Sequence, residues 1–72
     1  MKVSIVIELD EDGYYAFAPE LPGCHSQGAT FEETDSNIRE AIDLYLETLD
    51  PTERSTYTSK HIYTSTYELA NA

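Results

Sequence analysis

Cys24 and His25 stand side by side in the segment APELPGCHSQG, residues 18–28, and a thiol beside an imidazole is the pair from which nucleophilic catalysis is built. The base must reach the sulfur, yet consecutive residues of a strand point to opposite faces. His61 is the other histidine, and no motif links it to Cys24. A structural zinc site takes four ligands and a catalytic one at least three; Cys24, His25 and His61 show no ligand spacing. Cys24 therefore reads as a small packed residue and His25 as a surface one. The acids DED, residues 10–12, lack the spaced ligands of a calcium loop and read as a solvated turn. Six tyrosines (Tyr14, Tyr15, Tyr45, Tyr57, Tyr63 and Tyr67) could stack on bases, but such platforms come with Lys and Arg, and the chain has four cations in all. Core packing and a protein-binding surface suit them better. No phosphate-cradling glycine loop, paired catalytic acid or Ser-His-Asp pattern is present. The residues read as non-enzymatic, with no cofactor and no metal.

The elements that position these residues follow from periodicity. KVSIVIEL places Val3, Ile5, Ile7 and Leu9 on one face, a half-buried strand. DEDG is a turn in which Gly13 can take positive φ, and YYAFA is a second alternating strand, so residues 1–18 predict a hairpin. Pro19 ends the second strand near Ala18, since proline cannot donate to the ladder. PELPG then turns the chain, and CHSQG forms a short third strand closed by Gly28. Thr30 with Glu33 makes a capping box, opening a helix with the apolar stripe Phe31, Ile38, Ala41, Ile42, Tyr45, Leu46 and Leu49. Asp35 lies on the inner side of that helix; either the helix end lifts off the sheet there, or Arg39 at i,i+4 neutralises it. Pro51 is expected to stop the helix. Residues 51–60, rich in Ser, Thr and Tyr, read as a mobile loop, and residues 61–69, HIYTSTYEL, as a fourth strand. The expected fold is α+β: a two-layer β-β-β-α-β domain over residues 1–72, with one helix packed on an antiparallel sheet, over Val3, Ile5 and Ile7. The opposite sheet face is expected to carry much of the tyrosine content and to serve association.

Composition sets the outer bounds. Seventy-two residues is near the lower limit for a self-sufficient core, and a chain this small usually needs a disulfide, metal or partner. One cysteine excludes an internal disulfide and suits a reducing, cytoplasmic setting. No apolar run is long enough for a membrane span, and MKVSIVIELDEDG lacks a signal peptide's cleavage region. The net charge is −10, and all of it arises in residues 1–50, where twelve acids face Lys2 and Arg39; residues 51–72 are balanced. Such a field repels nucleic acid and attracts basic partners.

Two consecutive segments resemble a known family. EDGYYAFAPELPGCHSQG, residues 11–28, followed by TFEETDSNIREAIDLYLE, residues 30–47, is similar to the HicB-type antitoxins. The likeness runs through Gly13, Tyr14, Tyr15, Pro19, Leu21, Pro22, Gly23, Cys24, Ser26, Gly28, Thr30, Glu33, Asn37, Ile38, Glu40, Ala41, Ile42, Tyr45 and Leu46. It implies a degenerate ribonuclease-H-like domain without nuclease activity, and as partner a small basic HicA-type toxin, an mRNA-cleaving ribonuclease whose active site the antitoxin masks. Together with the acidic turn, the proline loop and the tyrosines, it suggests Asp10, Glu11, Asp12, Tyr14, Glu20, Leu21, His25, Tyr63 and Tyr67 as partner-binding residues, and a homo-oligomer, dimer or tetramer. Full-length antitoxins of this type add a C-terminal DNA-binding segment; nothing after Leu69 reads as one, so no direct nucleic acid binding is expected. Thr34-Asp35 departs from the family's small or apolar residues. The alternatives are a stand-alone oligomerising module without a toxin, and a metal-dependent nuclease, which would need three or four converging carboxylates.

Overall fold

The computed structural model describes residues 1–70. Three strands form an antiparallel sheet in the order β1 (Val6–Asp10), β2 (Gly13–Phe17), β3 (His25–Gly28), followed by α1 (Phe31–Glu47) and α2 (Pro51–Thr58). The β1–β2 turn is tight: Asp12 N–H donates to Asp10 Oδ1 at 2.8 Å, and Gly13 takes φ 116°.

The β1–β2 ladder begins at Val6 opposite Phe17, later than the alternation of residues 2–9 predicts, and proline is the reason. Two residues further out, Ser4 falls opposite Pro19, which has no N–H to give. Beyond the ladder's end the Glu20 carboxylate stands in for a strand acceptor, accepting from Ser4 N–H at 2.9 and 3.0 Å and from Ser4 Oγ at 2.9 Å. Glu20 is 3% exposed, so these hydrogen bonds satisfy its oxygens where solvent contact is largely lost.

Two turns in succession carry the chain from β2 to β3. Leu21 N–H donates to Ala18 O and Cys24 N–H to Leu21 O, each at 3.0 Å. Pro22 followed by Gly23 at φ 79° gives the second turn its type II shape. This loop folds inward: Ala18, Leu21 and Cys24 join Ala16, Ile38 and Ile42 as the buried core. Tyr45 Oη ties it to the helix by donating to Pro22 O at 2.8 Å.

Thr30 caps α1, accepting from Glu33 N–H at 3.0 Å, while the Glu33 carboxylate reaches Ala29 N–H instead of closing the reciprocal bond to Thr30. Thr34 is fully buried beneath Gly28, where a Cβ would stand 2.7 Å from its hydroxyl; that hydroxyl is satisfied by Thr30 O at 2.7 Å. The helix end therefore stays seated on the sheet, and Asp35 is neutralised by Arg39 Nε at 3.0 Å. The helix lies mainly over β3 and β2 and meets β1 at its margin, and Val3, Ile5 and Ile7 lie on the sheet face it packs against, as the alternation predicts. Those three are half-buried, packed against the core from the side.

Two expectations are overturned. Residues 51–58 are a helix, not a loop. Its first turn carries a complete capping box, with Asp50 accepting from Glu53 N–H and Glu53 accepting from Asp50 N–H, and Pro51 at its start. Proline there has no intrahelical donor to lose; α1 ends by Thr48, before the proline arrives. The fourth strand is absent: residues 61–69 pair with no strand among the described residues. Their backbone is left for other use, and the radius of gyration, 14.1 Å, exceeds the roughly 11 Å of a compact chain of this length.

Candidate partner-binding face

Alternation along β2 divides the aromatic residues between the sheet's two sides. Tyr14 and Ala16 face the helix, with the Tyr14 ring edge-on to Phe31 at 6.3 Å. Tyr15 and Phe17 face outward, their rings 6.1 Å apart. His25, opposite Phe17, stacks on Tyr15 at 5.7 Å and 26°. One β2 tyrosine thus reaches the outer face, fewer than the sequence suggests: Tyr14 serves the interior, and Tyr45 and Tyr57 pack edge-on between the helices at 6.4 Å.

Among the described residues no helix covers the outer face. At one end an open groove of about 410 Å3 is lined by Tyr15, Phe17, Pro19, Pro22 and His25. At the other, a groove of about 290 Å3 is bounded by Glu8, Asp10, Asp12, Tyr15 and Gln27. Tyr15 is shared, so an aromatic half and an acidic half form one continuous surface. A stacked Tyr–His pair offers flat apolar area with polar rims, and the neighbouring carboxylates offer acceptors for Lys and Arg.

The residues expected to bind a partner sort unevenly onto this surface. Asp10, Asp12 and His25 lie on it or at its rim, and Glu11 is exposed in the adjoining turn. Tyr14 faces the helix side, though its edge reaches the acidic groove. Glu20 and Leu21 are buried and hold the loop together. Tyr63 and Tyr67 lie outside the sheet, almost wholly exposed. Tyr15, Phe17 and Glu8 belong to the surface and were missed; strict alternation from Ala16 inward would have placed all three outward.

Cys24 and His25 point to opposite faces. The thiol is buried, and burial pushes its pKa up, the reverse of what activates a nucleophile. Among the described residues no three His, Cys, Asp or Glu side chains gather as metal ligands, and no helix is long and apolar enough to cross a membrane.

A small α+β domain with one sheet face packed on a helix and the other bare and acidic has the form of a binding module. The chain belongs to the HicB-like antitoxins of bacterial toxin–antitoxin systems, whose family model matches residues 3–71. A UPF0150 protein of Helicobacter pylori is 46% identical over the full length of both chains. Another, from Archaeoglobus fulgidus, is 56% identical over 48 residues, 65% of this chain and 70% of that one. An uncharacterised 14.9 kDa protein of Haemophilus phage HP1 is 43% identical over 47 residues, 65% of this chain and 35% of its own length. No solved structure matches the chain significantly.

Proposed function

We propose that this protein is a non-catalytic antitoxin that binds a small basic HicA-type ribonuclease in the cytoplasm and covers its active site with the outer sheet face. The observation that carries the reading is the continuity of that face: Glu8, Asp10 and Asp12 meet the Tyr15–His25 stack without a helix over them. An mRNA-cleaving site is built to attract phosphate, so carboxylates presented on a rigid sheet compete for the same cations. Tyr15 and Phe17 supply the apolar centre that such an interface needs. The net charge of −10 speeds encounter with a basic partner.

The test is to co-express the chain with the product of the adjacent reading frame, purify the pair by gel filtration and assay RNA cleavage. A stable complex without cleavage activity is expected, and Tyr15→Ala should weaken it by at least about tenfold, as truncation of a central aromatic does. No complex, or a complex that still cleaves RNA, sinks the proposal.

A further inference from the structure

The sheet has two edges, and they are not equally finished. Ala18 N–H donates to Cys24 O, so in the pairing register Tyr14, Ala16 and Ala18 turn their backbone groups toward β3, while Tyr15 and Phe17 turn theirs toward β1. Glu8 and Val6 answer them, and Ser4 continues that set through Glu20. Ile7 and Leu9, with Ile5 and Val3 before them, therefore aim N–H and C=O groups away from the sheet. On the opposite edge the Gln27 carbonyl is covered, accepting from Asn37 Nδ2 at 2.9 Å. The β1 edge has no such cover, and uncovered edges accept strands.

Residues 61–69 have the complementary character. They are β-branched and aromatic, they alternate, and among the described residues they pair with no strand. Tyr63 and Tyr67 are 89% and 88% exposed. Charge decides the direction in which they would lie. Run antiparallel with Tyr63 opposite Ile7 and Tyr67 opposite Val3, the segment sets Lys60 beside Asp10 and Glu68 beside Lys2. Run parallel, it sets Lys60 near Lys2 and Glu68 near Asp10, like against like. The antiparallel register also places both tyrosines on the helix side of the sheet. There an open groove of about 330 Å3, lined by Val3, Ile5 and Ile42 with Arg39 and Asp43 at its rim, flanks the edge.

We propose that residues 61–69 of one copy add as an antiparallel fourth strand to the β1 edge of a second copy, and that the exchange is reciprocal. The dimer completes both sheets, covers both edges and buries the tail tyrosines, enlarging a core of six small and medium side chains. The edge adjoins the outer face and shares Asp10 with it, but the pairing of two copies does not depend on whether a toxin exists.

Light scattering of the full chain over a range of concentrations tests it, with two proline variants as controls. In this register Ser65 N–H faces the β1 edge and Thr64 N–H faces away. Ser65→Pro should weaken dimerisation by about tenfold or more, while Thr64→Pro leaves it nearly unchanged; circular dichroism should show that both keep the fold. Lys2→Glu and Glu68→Lys should each weaken the dimer and together restore it. A chain that stays monomeric, a dimer indifferent to Ser65→Pro, or equal loss from the two proline variants overturns the proposal. So does protection of the tail amides from hydrogen exchange in a monomer, which would mean pairing within one chain.

Discussion

Cys24 illustrates how position in the fold cancels a side chain's usual reactivity. Its neighbour His25 is one residue away in sequence and on the other side of the sheet, so the two never share a proton. The thiol instead fills the junction of sheet, loop and helix, and burial raises its pKa. Tyr45, which anchors the loop through Pro22, is shifted in the same direction, by loss of solvent first and then by Tyr57, Cys24 and Glu53. Both groups hold their protons more tightly when folded than when unfolded. Their contribution to stability is therefore complete below the ordinary thiol value of 9.0 and is lost as pH rises through the folded values. Urea midpoints measured between about pH 8 and about pH 11 should fall, and the double variant Cys24→Ala/Tyr45→Phe should show a shallower fall from a lower start. An equally steep fall in that variant would place the alkaline sensitivity elsewhere.

At the scale of elements, α2 is the least self-sufficient part of the fold. Eight residues are too few for a helix to persist on its own. What holds it is the Asp50–Glu53 box, the packing of Tyr57 on Tyr45, and Arg54 Nη2 donating to Leu46 O at 3.0 Å. Against these, Arg54 Nε is buried with no hydrogen-bond partner among the described residues, which works against the helix. Asp50→Ala removes the side-chain acceptor of Glu53 N–H while leaving the backbone N–H of residue 50 to the Glu53 carboxylate, a loss worth about 1 kcal/mol. Amides of residues 53–58 should then exchange faster while those of β2 and α1 keep their protection; unchanged exchange in α2 would show that packing alone maintains it. The cap was legible in the sequence as Asp-Pro-x-Glu, an N-cap, an N1 proline and an N3 acid, but Pro51 was weighed as the end of α1 instead of the start of α2. The hairpin, β3 and α1 were legible because periodicity and caps agreed there. Residues 61–69 carry strand periodicity that their own chain does not use, since pairing is a property of two segments and the pattern of one cannot reveal it. The candidate site is half legible: Asp10, Asp12 and His25 lie on the outer face, but Glu8 does not stand out, and nothing local distinguishes an exposed PELPG loop from one that folds Glu20 and Leu21 into the core. Glu20 is turned inward by its bonds to Ser4 N–H and Oγ, a contact sixteen residues away that the local sequence does not show.

Over the whole molecule, the excess of carboxylates is concentrated in residues 1–50, the segment that builds the sheet and α1. Its field reaches beyond any single contact, and it is screened by salt over about 30 Å at 0.01 M but only about 8 Å at 0.15 M. Two interfaces should respond differently. In the proposed contact of the outer face with a basic partner, association should be faster at low salt, with an on-rate falling steeply as salt rises and an off-rate set mainly by Tyr15 and Phe17. The β1 edge joins two copies of the same acidic chain, so their mutual repulsion should oppose the Lys60–Asp10 and Glu68–Lys2 pairs. Salt should therefore leave self-association unchanged or strengthen it while slowing capture of the partner. Stopped-flow binding and light scattering on one salt series would separate the two effects. Parallel weakening of both would mean that opposite-charge contacts dominate the contact between copies as well, and that the acidic field is confined to side chains the dimer already pairs.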